Sequence, residues 1–302
     1  MEEPADTIIS VDSGGTYYKS ALVDPDGNII PGSFLELPSY SEEPKEKVIF
    51  AFKEVLLKMI EQADLNKRCI SRIVFSFPGP FDYQRGACMM KHKFVSVYDL
   101  PLKPIVQEII NDSRLKVTFH NDMHAFAWGA YKFDAGQGFS NVFCVAIGTG
   151  LGGACVYKGK IIMREDRGAM FPIFRQPYKD GILEDFVSNR GLVNEYRRLT
   201  GFNGDLDARK ITQFAENNDE AALEVYRNMG FILGKELKPL FDEWDIKCLV
   251  LGGQIAKGYH FFGPALAEAL ANSKTIQFIG PLKDSAYVSI RGNAALPIPD
   301  DT

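Results

Sequence analysis

Alternation of apolar and polar positions near the start of the chain predicts three strands in succession, at residues 7–12, 20–23 and 29–37. The turn-forming run Asp24-Pro25-Asp26-Gly27 separates the second strand from the third. Three consecutive antiparallel strands differ from the strand–helix alternation of a dinucleotide-binding fold. The apolar spacing then predicts helices at 45–63, 102–110 and 123–132, with strands at 73–76 and 116–120.

The same order of elements recurs in the second part of the chain. Strands are predicted at 142–147, 154–157 and 161–163, followed by mainly helical residues from 180 to 241 and a buried strand that begins at Cys248. We interpret the recurrence as an internal duplication and expect an α/β fold of two similar domains with a central cleft. The expected first domain comprises 1–120 and about 286–302, and the second comprises 121–285.

Composition and charge narrow the class of protein. Hydrophobic residues make up 46% of the 302 positions and charged residues 24%, which excludes a disordered or fibrous chain. A net charge of -5 without a basic stripe argues against a nucleic-acid partner. No apolar run approaches the ~20 residues that cross a bilayer, and the chain begins with acidic and polar residues, so we expect no membrane segment and a cytoplasmic location. The five cysteines include no C-x-x-C pair, and we expect them to be reduced, buried and apolar in role.

The first motif with chemical potential is Asp12-Ser13-Gly14-Gly15-Thr16, between two predicted strands. Glycines at such a tip expose backbone N–H groups and let phosphate oxygens approach closely. Thr16 adds a hydroxyl, and the carboxylate of Asp12 suits a hydrated Mg²⁺. A tight hairpin without a ligand is the alternative interpretation. Lys19, three residues further on, either faces the phosphates or is a solvated strand lysine.

A second glycine motif, Gly148-Thr149-Gly150-Leu151-Gly152-Gly153, occupies the corresponding place in the second half. It contains more glycine than a hairpin requires, and a strand rather than a helix follows it, so it is not a P-loop. Two such tips in a duplicated fold favour a shared polyphosphate ligand. Gly252-Gly253, at the end of a buried strand, either accommodate a flat nucleoside or form a tight strand–helix turn.

The pair Asn121-Asp122 lies where a strand ends and a helix begins. Asp is a preferred helix N-cap, which gives one interpretation of Asp122. In the other, Asp122 is a general base that accepts a proton from a hydroxyl as it attacks the γ-phosphoryl group of a nucleotide.

Taken together and in this order, these motifs resemble the ROK family of sugar kinases. The resemblance runs from Ile8 to about Leu296 and rests on D-x-G-G-T at 12–16, P-G-P at 78–80, N-D at 121–122, G-T-G-x-G-G at 148–153 and L-G-G at 251–253. It implies two RNase H-like domains, as in actin and hexokinase, with ATP and Mg²⁺ between the two glycine turns. It also implies that Asp122 is the catalytic base and that Asn121 and the backbone around Gly79 contact sugar hydroxyls.

The chain departs from the family pattern where other members carry E-x-G-H and a cysteine-rich zinc segment ending in G-C-L-E. Asp166 stands for the first acid and Glu184 matches the second, so both are expected to bind the sugar. Ala169 and Ile182 replace a histidine and a cysteine, so we expect no zinc site, as in the zinc-free members similar to β-glucoside kinases. We expect apolar packing by residues 170–174 to hold the loop instead.

Two further stretches bear on the expected site. Many relatives carry an N-L-P stretch whose asparagine binds sugar, whereas this chain has Lys91-His92-Lys93 in that region. His92 either contacts the substrate or is an exposed loop histidine, which is the simpler interpretation. His124, two residues after Asp122, either tunes Asp122 electrostatically or lies on the helix surface, which is the interpretation that we expect.

The resemblance implies an ATP-dependent kinase that phosphorylates a hexose, at its 6-hydroxyl, and that forms a homodimer. Three alternatives stay open: a kinase for a β-glucoside or disaccharide, a kinase of the same fold with a different acceptor, and a non-catalytic sugar sensor. The family's DNA-binding repressors carry an additional N-terminal module, and only six residues precede the first predicted strand here.

Overall fold

The computed structural model describes residues 6–112, 115–284 and 287–297. The chain forms two compact units: the first comprises the described parts of 1–133, 163–170 and 286–302, and the second those of 134–162 and 171–285. Residues 1–5, 113–114, 285–286 and 298–302, which belong to the expected domains, lie outside the described residues.

The helices and strands are numbered in chain order. The helices are α1 (Lys45–Leu65), α2 (Lys103–Ile110), α3 (Asp122–Phe133), α4 (Asn189–Thr200), α5 (Ala208–Glu216), α6 (Glu220–Glu243), α7 (Tyr259–Leu270) and α8 (Val288–Ala295). The strands are β1 (Asp6–Ser13), β2 (Tyr17–Val23), β3 (Leu35–Pro38), β4 (Cys69–Phe77), β5 (Phe81–Asp82), β6 (Ala87–Cys88), β7 (Lys116–Asn121), β8 (Asn141–Ile147), β9 (Leu151–Tyr157), β10 (Lys160–Ile162), β11 (Pro177–Tyr178), β12 (Gly181–Ile182), β13 (Cys248–Gly252) and β14 (Phe278–Pro281).

Each unit contains a five-stranded sheet with the same topology. In the first unit the order is β3-β2-β1-β4-β7, with an antiparallel β1-β2-β3 meander and with β4 and β7 parallel to β1. In the second unit the order is β10-β9-β8-β13-β14, with the same directions. The expected α/β fold of two duplicated halves is therefore confirmed.

The third predicted strand is shorter than the alternation suggested. Strand β3 covers Leu35–Pro38 only, and Ile29 forms an isolated bridge with Val23. Between them Pro31 has no amide proton for a ladder, and Gly32 has φ +77°, which takes the backbone out of the extended region. The predicted strand at 29–37 was thus wrong over its first part.

The core of the first unit lies between its sheet and α1. The apolar face of α1 is fully buried, as the helical spacing predicts, and contacts the aromatic rings under β4 and β7. The rings of Phe52, Phe75 and Phe119 stack in succession, with centroids 5.0 and 5.4 Å apart. Burial of each such ring stabilises the fold by roughly 1.5–3 kcal/mol. The strands that carry the chemical motifs therefore pack on a well-filled aromatic core.

Helices α3 and α8 pack against each other with unusually close backbones. A Cβ at Gly129 would lie 2.0 Å from the carbonyl oxygen of Val288, and one at Gly292 would lie 2.0 Å from that of Ala125. This packing assigns α3 to the first unit, so the units divide after Phe133 rather than at the expected residue 120.

In the second unit, helices α4, α6 and α7 cover the sheet, and apolar packing holds the segment after β10. Phe171 and Ile173 are buried, and the ring of Phe171 meets those of Phe143 and Trp244 edge-on at 5.5 and 4.9 Å. Met170, expected to share in this packing, is 38% exposed. Cys69 is exposed, in contrast to the other four cysteines, which are buried thiols as expected. Within the described part of the chain, no helix is long and apolar enough to cross a membrane.

Candidate functional site

The first glycine turn connects β1 to β2 and is fixed by its own backbone and by two serines. The amide of Gly14 donates to the carbonyl of Tyr17 at 2.9 Å, so a hairpin brings the strands together. The carbonyl of Gly15 accepts from the hydroxyl of Ser39, at 2.8 Å, and from that of Ser41. Thr16 is exposed at the tip. The turn therefore has a fixed shape without a ligand, as a pre-formed binding turn requires.

Asp12 lies next to this turn at the end of β1. Its Oδ1 accepts from the hydroxyl of Ser76, its partner in β4, at 2.8 Å. Burial raises the pKa of the carboxyl, an effect that the Ser76 hydrogen bond and the charge of Lys19 partly oppose. Lys19, its partner in β2, lies 3.9 Å from the carboxylate of Glu36, so it is a paired strand lysine.

Asp122 is the first residue of α3, and its carboxyl titrates far from the usual range of an aspartate. Burial, and secondly the charge of Asp12, raise its pKa from 3.8 to about 6, while the amide of Met123 and the charge of Lys93 act in the opposite direction. The Met123 amide donates to Asp122 Oδ1 at 2.8 Å and to Asn121 Oδ1 at 3.1 Å. Because Asn121 also satisfies this amide, helix capping alone does not explain the carboxylate at 122.

Asn121 is buried and has a fixed orientation. Its Nδ2 donates to the hydroxyl of Tyr83 at 2.8 Å, and that hydroxyl donates to the carbonyl of Phe77 at 3.2 Å. A Cβ at Gly79 would lie 3.5 Å from the Tyr83 hydroxyl and 4.0 Å from Asn121 Nδ2. The P-G-P loop, Tyr83 and the N-D pair thus form one cluster, and no sequence motif indicated Tyr83.

Asp166 lies near this cluster but is engaged by its own loop. Arg164 binds its carboxylate with two hydrogen bonds of 3.0 and 2.6 Å, and the amide of Gly168 donates to Oδ1 at 2.9 Å. The hydrogen bond from Arg164 is the main cause of its lowered pKa. Both Asp166 and Arg164 influence the pKa of Tyr83, which places them on the same side of the first unit as Asn121.

Lys93 is the residue near the first turn that the motifs did not identify. A Cβ built on Gly15 would lie 2.9 Å from its Cδ and 3.3 Å from its Nζ, so the lysine side chain lies directly against the turn. Its neighbours Lys91 and His92 are exposed. No local pattern predicts this contact, because the loop and the turn are far apart in the sequence.

In the second unit, the glycine turn is shorter than its motif. Strand β9 begins at Leu151, so the tip is Gly148-Thr149-Gly150, closed by a 2.9 Å hydrogen bond from the Gly148 amide to the Gly150 carbonyl. A Cβ at Gly148 would have nothing within 4 Å, whereas one at Gly153 would lie 2.9 Å from Ile173. Packing therefore explains why residue 153 is glycine. In the described part of this unit, no contact explains why residue 148 is glycine.

Glu184 lies against the second turn. Its Oε2 accepts from the amide of Leu151 at 2.9 Å, and a Cβ at Gly150 would lie 2.7 Å from this oxygen. Arg190 lies 3.7 Å from its Oε1 and forms a closer ion pair with Asp185. In this structure the glutamate expected to bind sugar thus supports the turn.

Gly252 ends β13, and Gly253 follows with φ +85°. A Cβ at Gly253 would lie 2.3 Å from the carbonyl oxygen of Ile147, the residue before the second turn. The conformation and the close approach both require glycine at 253. Gly252-Gly253 therefore form a tight turn packed against the second glycine tip, while the face of Gly253 stays exposed.

His120 and His124 are buried beneath the N-D pair, so the expectation that His124 lies on the helix surface was wrong. His124 is 2% exposed, because α3 packs that side against α8 and the sheet. Burial lowers the pKa of each imidazole to about 4. His120 Nδ1 lies 2.9 Å from Asn293 Oδ1, and the Nε2 atoms of both rings are buried without a hydrogen-bond partner among the described residues. Both histidines are neutral structural groups at neutral pH.

A magnesium ion fits the carboxylate chemistry near the first turn. Asp12 and Asp122 repel each other, which a cation relieves, and Mg²⁺ is usually bound by one or two carboxylates with waters and substrate phosphates. Residues 163–188 contain no cysteine or histidine that would ligate zinc. Throughout the described ranges, no group of three or more His, Cys, Asp or Glu side chains is arranged to hold a metal ion.

Comparison with known proteins gives one consistent result. The model of the ROK family matches residues 8–296. The chain is 26% identical over 274 residues to a glucokinase from Streptomyces coelicolor, covering 82% of each chain, and 24% identical over 265 residues to an N-acetylmannosamine kinase from Shigella flexneri, covering 84% and 85%. A ROK family glucokinase from Streptomyces griseus, solved with glucose and AMPPNP, superposes with a TM-score of 0.77 at 21% identity, covering 95% of this chain and 98% of the other. This chain belongs to the ROK family.

Proposed function

We propose that this protein is an ATP-dependent sugar kinase that transfers the γ-phosphoryl group of ATP to the 6-hydroxyl of a hexose. Membership of the ROK family and the kinase activities named for its relatives support the reaction class. The observation that carries the assignment is the half-buried carboxylate of Asp122, whose pKa is raised to about 6, beside the oriented amide of Asn121.

Asp122 is the general base. The sugar hydroxyl oxygen attacks the γ-phosphorus, a new P–O bond forms, the bond to the β-phosphate oxygen breaks and ADP leaves. The hydroxyl proton passes to the Asp122 carboxylate. A base with a pKa near 6 is mostly ionised at neutral pH and accepts a proton more readily than an ordinary aspartate.

The phosphates of ATP are bound by backbone groups of the glycine turns. In the first unit these are Gly14, Gly15 and Thr16, held in a fixed shape by Ser39 and Ser41. In the second unit they are Gly148, Thr149 and Gly150, and Gly252 and Gly253 accommodate the nucleoside. The open space at Gly148 supports a phosphate at this tip, because no described packing in the unit requires a glycine there. Bound Mg²⁺, held by Asp12 through water, would supply positive charge that neutralises the phosphate oxygens.

The sugar is bound by groups that pair with hydroxyls. Asn121 and the backbone at Gly79 provide an amide and a carbonyl on a rigid support, and Tyr83 fixes the amide. Asp166 and Glu184 complete the set, although each has a partner in its own unit that the sugar would share or displace. The differences at Ala169 and at 91–93 leave a β-glucoside or disaccharide as an alternative substrate.

The direct test is ADP release from ATP and Mg²⁺ with a panel of sugars: glucose, mannose, fructose, N-acetylated hexosamines and cellobiose. We expect one or more of these sugars to stimulate release well above the rate without sugar. A sugar that binds, by calorimetry, but stimulates no release would support a non-catalytic sensor and contradict the proposal.

We also propose that the protein is cytoplasmic and binds no zinc, no nucleic acid and no membrane, and that it forms the homodimer that the family resemblance implies. Light scattering would report a mass near twice 33.7 kDa for the dimer. Elemental analysis of the purified protein would detect zinc at one ion per chain if this expectation were wrong.

A further inference from the structure

The side chain of Lys93 occupies a specific place over the first glycine turn. Its Cδ, Cε and Nζ lie 2.9, 3.1 and 3.3 Å from the position of a Cβ on Gly15, so three successive atoms follow the turn. A solvated surface lysine would extend away from the backbone, as expected for the exposed Lys91. Lys93 is half-buried, and the absence of a side chain at Gly15 makes this arrangement sterically feasible.

The backbone of the Lys93 loop is anchored to the same turn. Phe94, the next residue, has φ +53°, is 1% exposed, and packs its ring against those of Tyr18 and Phe77. The Phe94 amide donates to the carbonyl of Ser41 at 2.8 Å, and the Ser41 hydroxyl binds the carbonyl of Gly15. Ser41 therefore links the loop to the turn, so the lysine is held in register with Gly15.

The charge of Lys93 is available to a ligand. Among the residues that the structure describes, no carboxylate lies within 4 Å of its Nζ, whereas the strand lysine Lys19 is paired with Glu36. Its field nonetheless reaches Asp122 and lowers the pKa of that carboxyl, in opposition to burial and to Asp12. One ammonium group thus acts on both the proposed phosphate turn and the proposed base.

We propose that Lys93 is a further catalytic residue, which binds the phosphoryl group during its transfer. This inference rests on the proposed kinase function, in which the turn at Gly15 binds the phosphates of ATP and Asp122 accepts the proton of the attacking hydroxyl. The equatorial oxygens of the transferring group carry spread negative charge, and a lysine ammonium supplies one positive charge and three donors. Lys93 keeps its own proton throughout, and the hydroxyl proton still passes to Asp122.

Two variants and one matched control test this role. Lys93→Met removes the charge but keeps a long apolar stem, and Lys93→Arg keeps the charge. Lys45→Met removes a charge from an exposed position at the start of α1, in the same unit. We expect Lys93→Met to lower kcat roughly 10²–10³-fold, the effect typical of losing one donor to transition-state charge. KM for the sugar should change much less, Lys93→Arg should recover part of kcat, and Lys45→Met should resemble the parent protein.

The outcomes separate this inference from the proposed function. If the parent protein releases no ADP with any sugar, the proposed function fails and the inference fails with it. If the parent is active and Lys93→Met keeps kcat within about twofold while its thermal unfolding is unchanged, the inference alone is wrong. Equal loss in Lys93→Met and Lys45→Met would also overturn it, because the loss of one positive charge from the unit, rather than contact with the turn, would then explain the effect. If Lys93→Met does not fold, Lys93→Gln provides the same comparison.

Discussion

At the residue scale, the carboxylate of Asp122 is governed by three opposing influences: burial, the negative charge of Asp12 and the positive charge of Lys93. Burial is the largest, so the carboxyl holds its proton to a higher pH than a free aspartate. A general base works only when ionised. If Asp122 is the base, as we propose, the catalytic rate depends on pH in a range where most aspartates are already fully charged.

We expect kcat/KM to fall as the pH decreases through about 6, because protonation of Asp122 in the free enzyme removes the proposed base. A pH profile of kcat/KM, measured at sub-saturating ATP and sugar, checks this. An acid limb near pH 4, the value of an unperturbed aspartate, would contradict the electrostatic assignment of Asp122.

Gly148 differs from most glycines in the chain, since an added Cβ would meet nothing within 4 Å and its φ is not positive. We expect Gly148→Ala to leave the melting temperature unchanged and to raise KM for ATP roughly tenfold or more, as a methyl group then occupies the space for a phosphate oxygen. Titration with ATP and thermal unfolding measure the two effects. An unchanged KM would remove the second turn from the nucleotide site.

His124 makes stability depend on pH in the acid range. Its pKa is about 4 in the folded protein and about 6.5 when unfolded, so the unfolded chain binds more protons between these values. Its contribution is fully present above pH 6.5 and is lost as the pH falls through 4. We expect His124→Gln to reduce this acid-dependent loss, as measured by urea unfolding at pH 7 and pH 5. Equal losses in both proteins would show that His124 is not buried as a neutral group.

Local motifs predicted some of these residues well and others not at all. The two glycine turns, Asp12 at the end of β1 and the pair Asn121-Asp122 can be recognised from a few consecutive residues, because residues adjacent in the sequence form each turn. Lys93, Tyr83 and the engagement of Asp166 by Arg164 depend on distant backbone or on the rotamer of a neighbour, which no spacing reveals. Of the two histidine predictions, His92 on the surface is confirmed, whereas His124 was wrong because tertiary packing covers its face.

At the element scale, periodicity predicted most helices and strands. The long helix α1 and the paired meanders appear because their apolar positions repeat over many residues. Prediction failed where backbone chemistry overrides the pattern, as in the Pro31-Gly32 segment before β3. It also placed the start of β9 three residues late, since Gly152 and Gly153 look like turn residues although packing places them in a strand.

The contact between α3 and α8 offers a test of packing. Alanine is favoured over glycine inside a helix by about 1 kcal/mol, but a Cβ at Gly129 would overlap the backbone of Val288. We therefore expect Gly129→Ala to destabilise the protein by about 1–3 kcal/mol, in denaturant unfolding. Gly148→Ala is the matched control, with no loss expected. Stabilisation by Gly129→Ala would contradict this close helix contact.

At the scale of the whole molecule, the duplicated topology and membership of the ROK family are consistent with each other. The order of the motifs along the chain indicates the duplication and the family alike. The two glycine turns follow β1 and β8, which occupy corresponding places in the two units. The sugar could not be predicted in the same way. Under the proposed function, the sugar is selected by loop residues such as those at 91–93 and 164–169, where this chain differs from the family pattern.

Sugar-dependent ADP release from Asp122→Asn beside the parent protein is the most direct test of the proposed kinase. We expect turnover to fall roughly 10²–10⁴-fold, because the amide accepts no proton. The fold should persist, and stability at pH 8 should be equal or higher, since an ionised buried carboxylate with a raised pKa destabilises the folded state above pH 6. Loss of turnover with an intact fold would support Asp122 as the base of a sugar kinase. Near-normal turnover in a folded Asp122→Asn protein would contradict it.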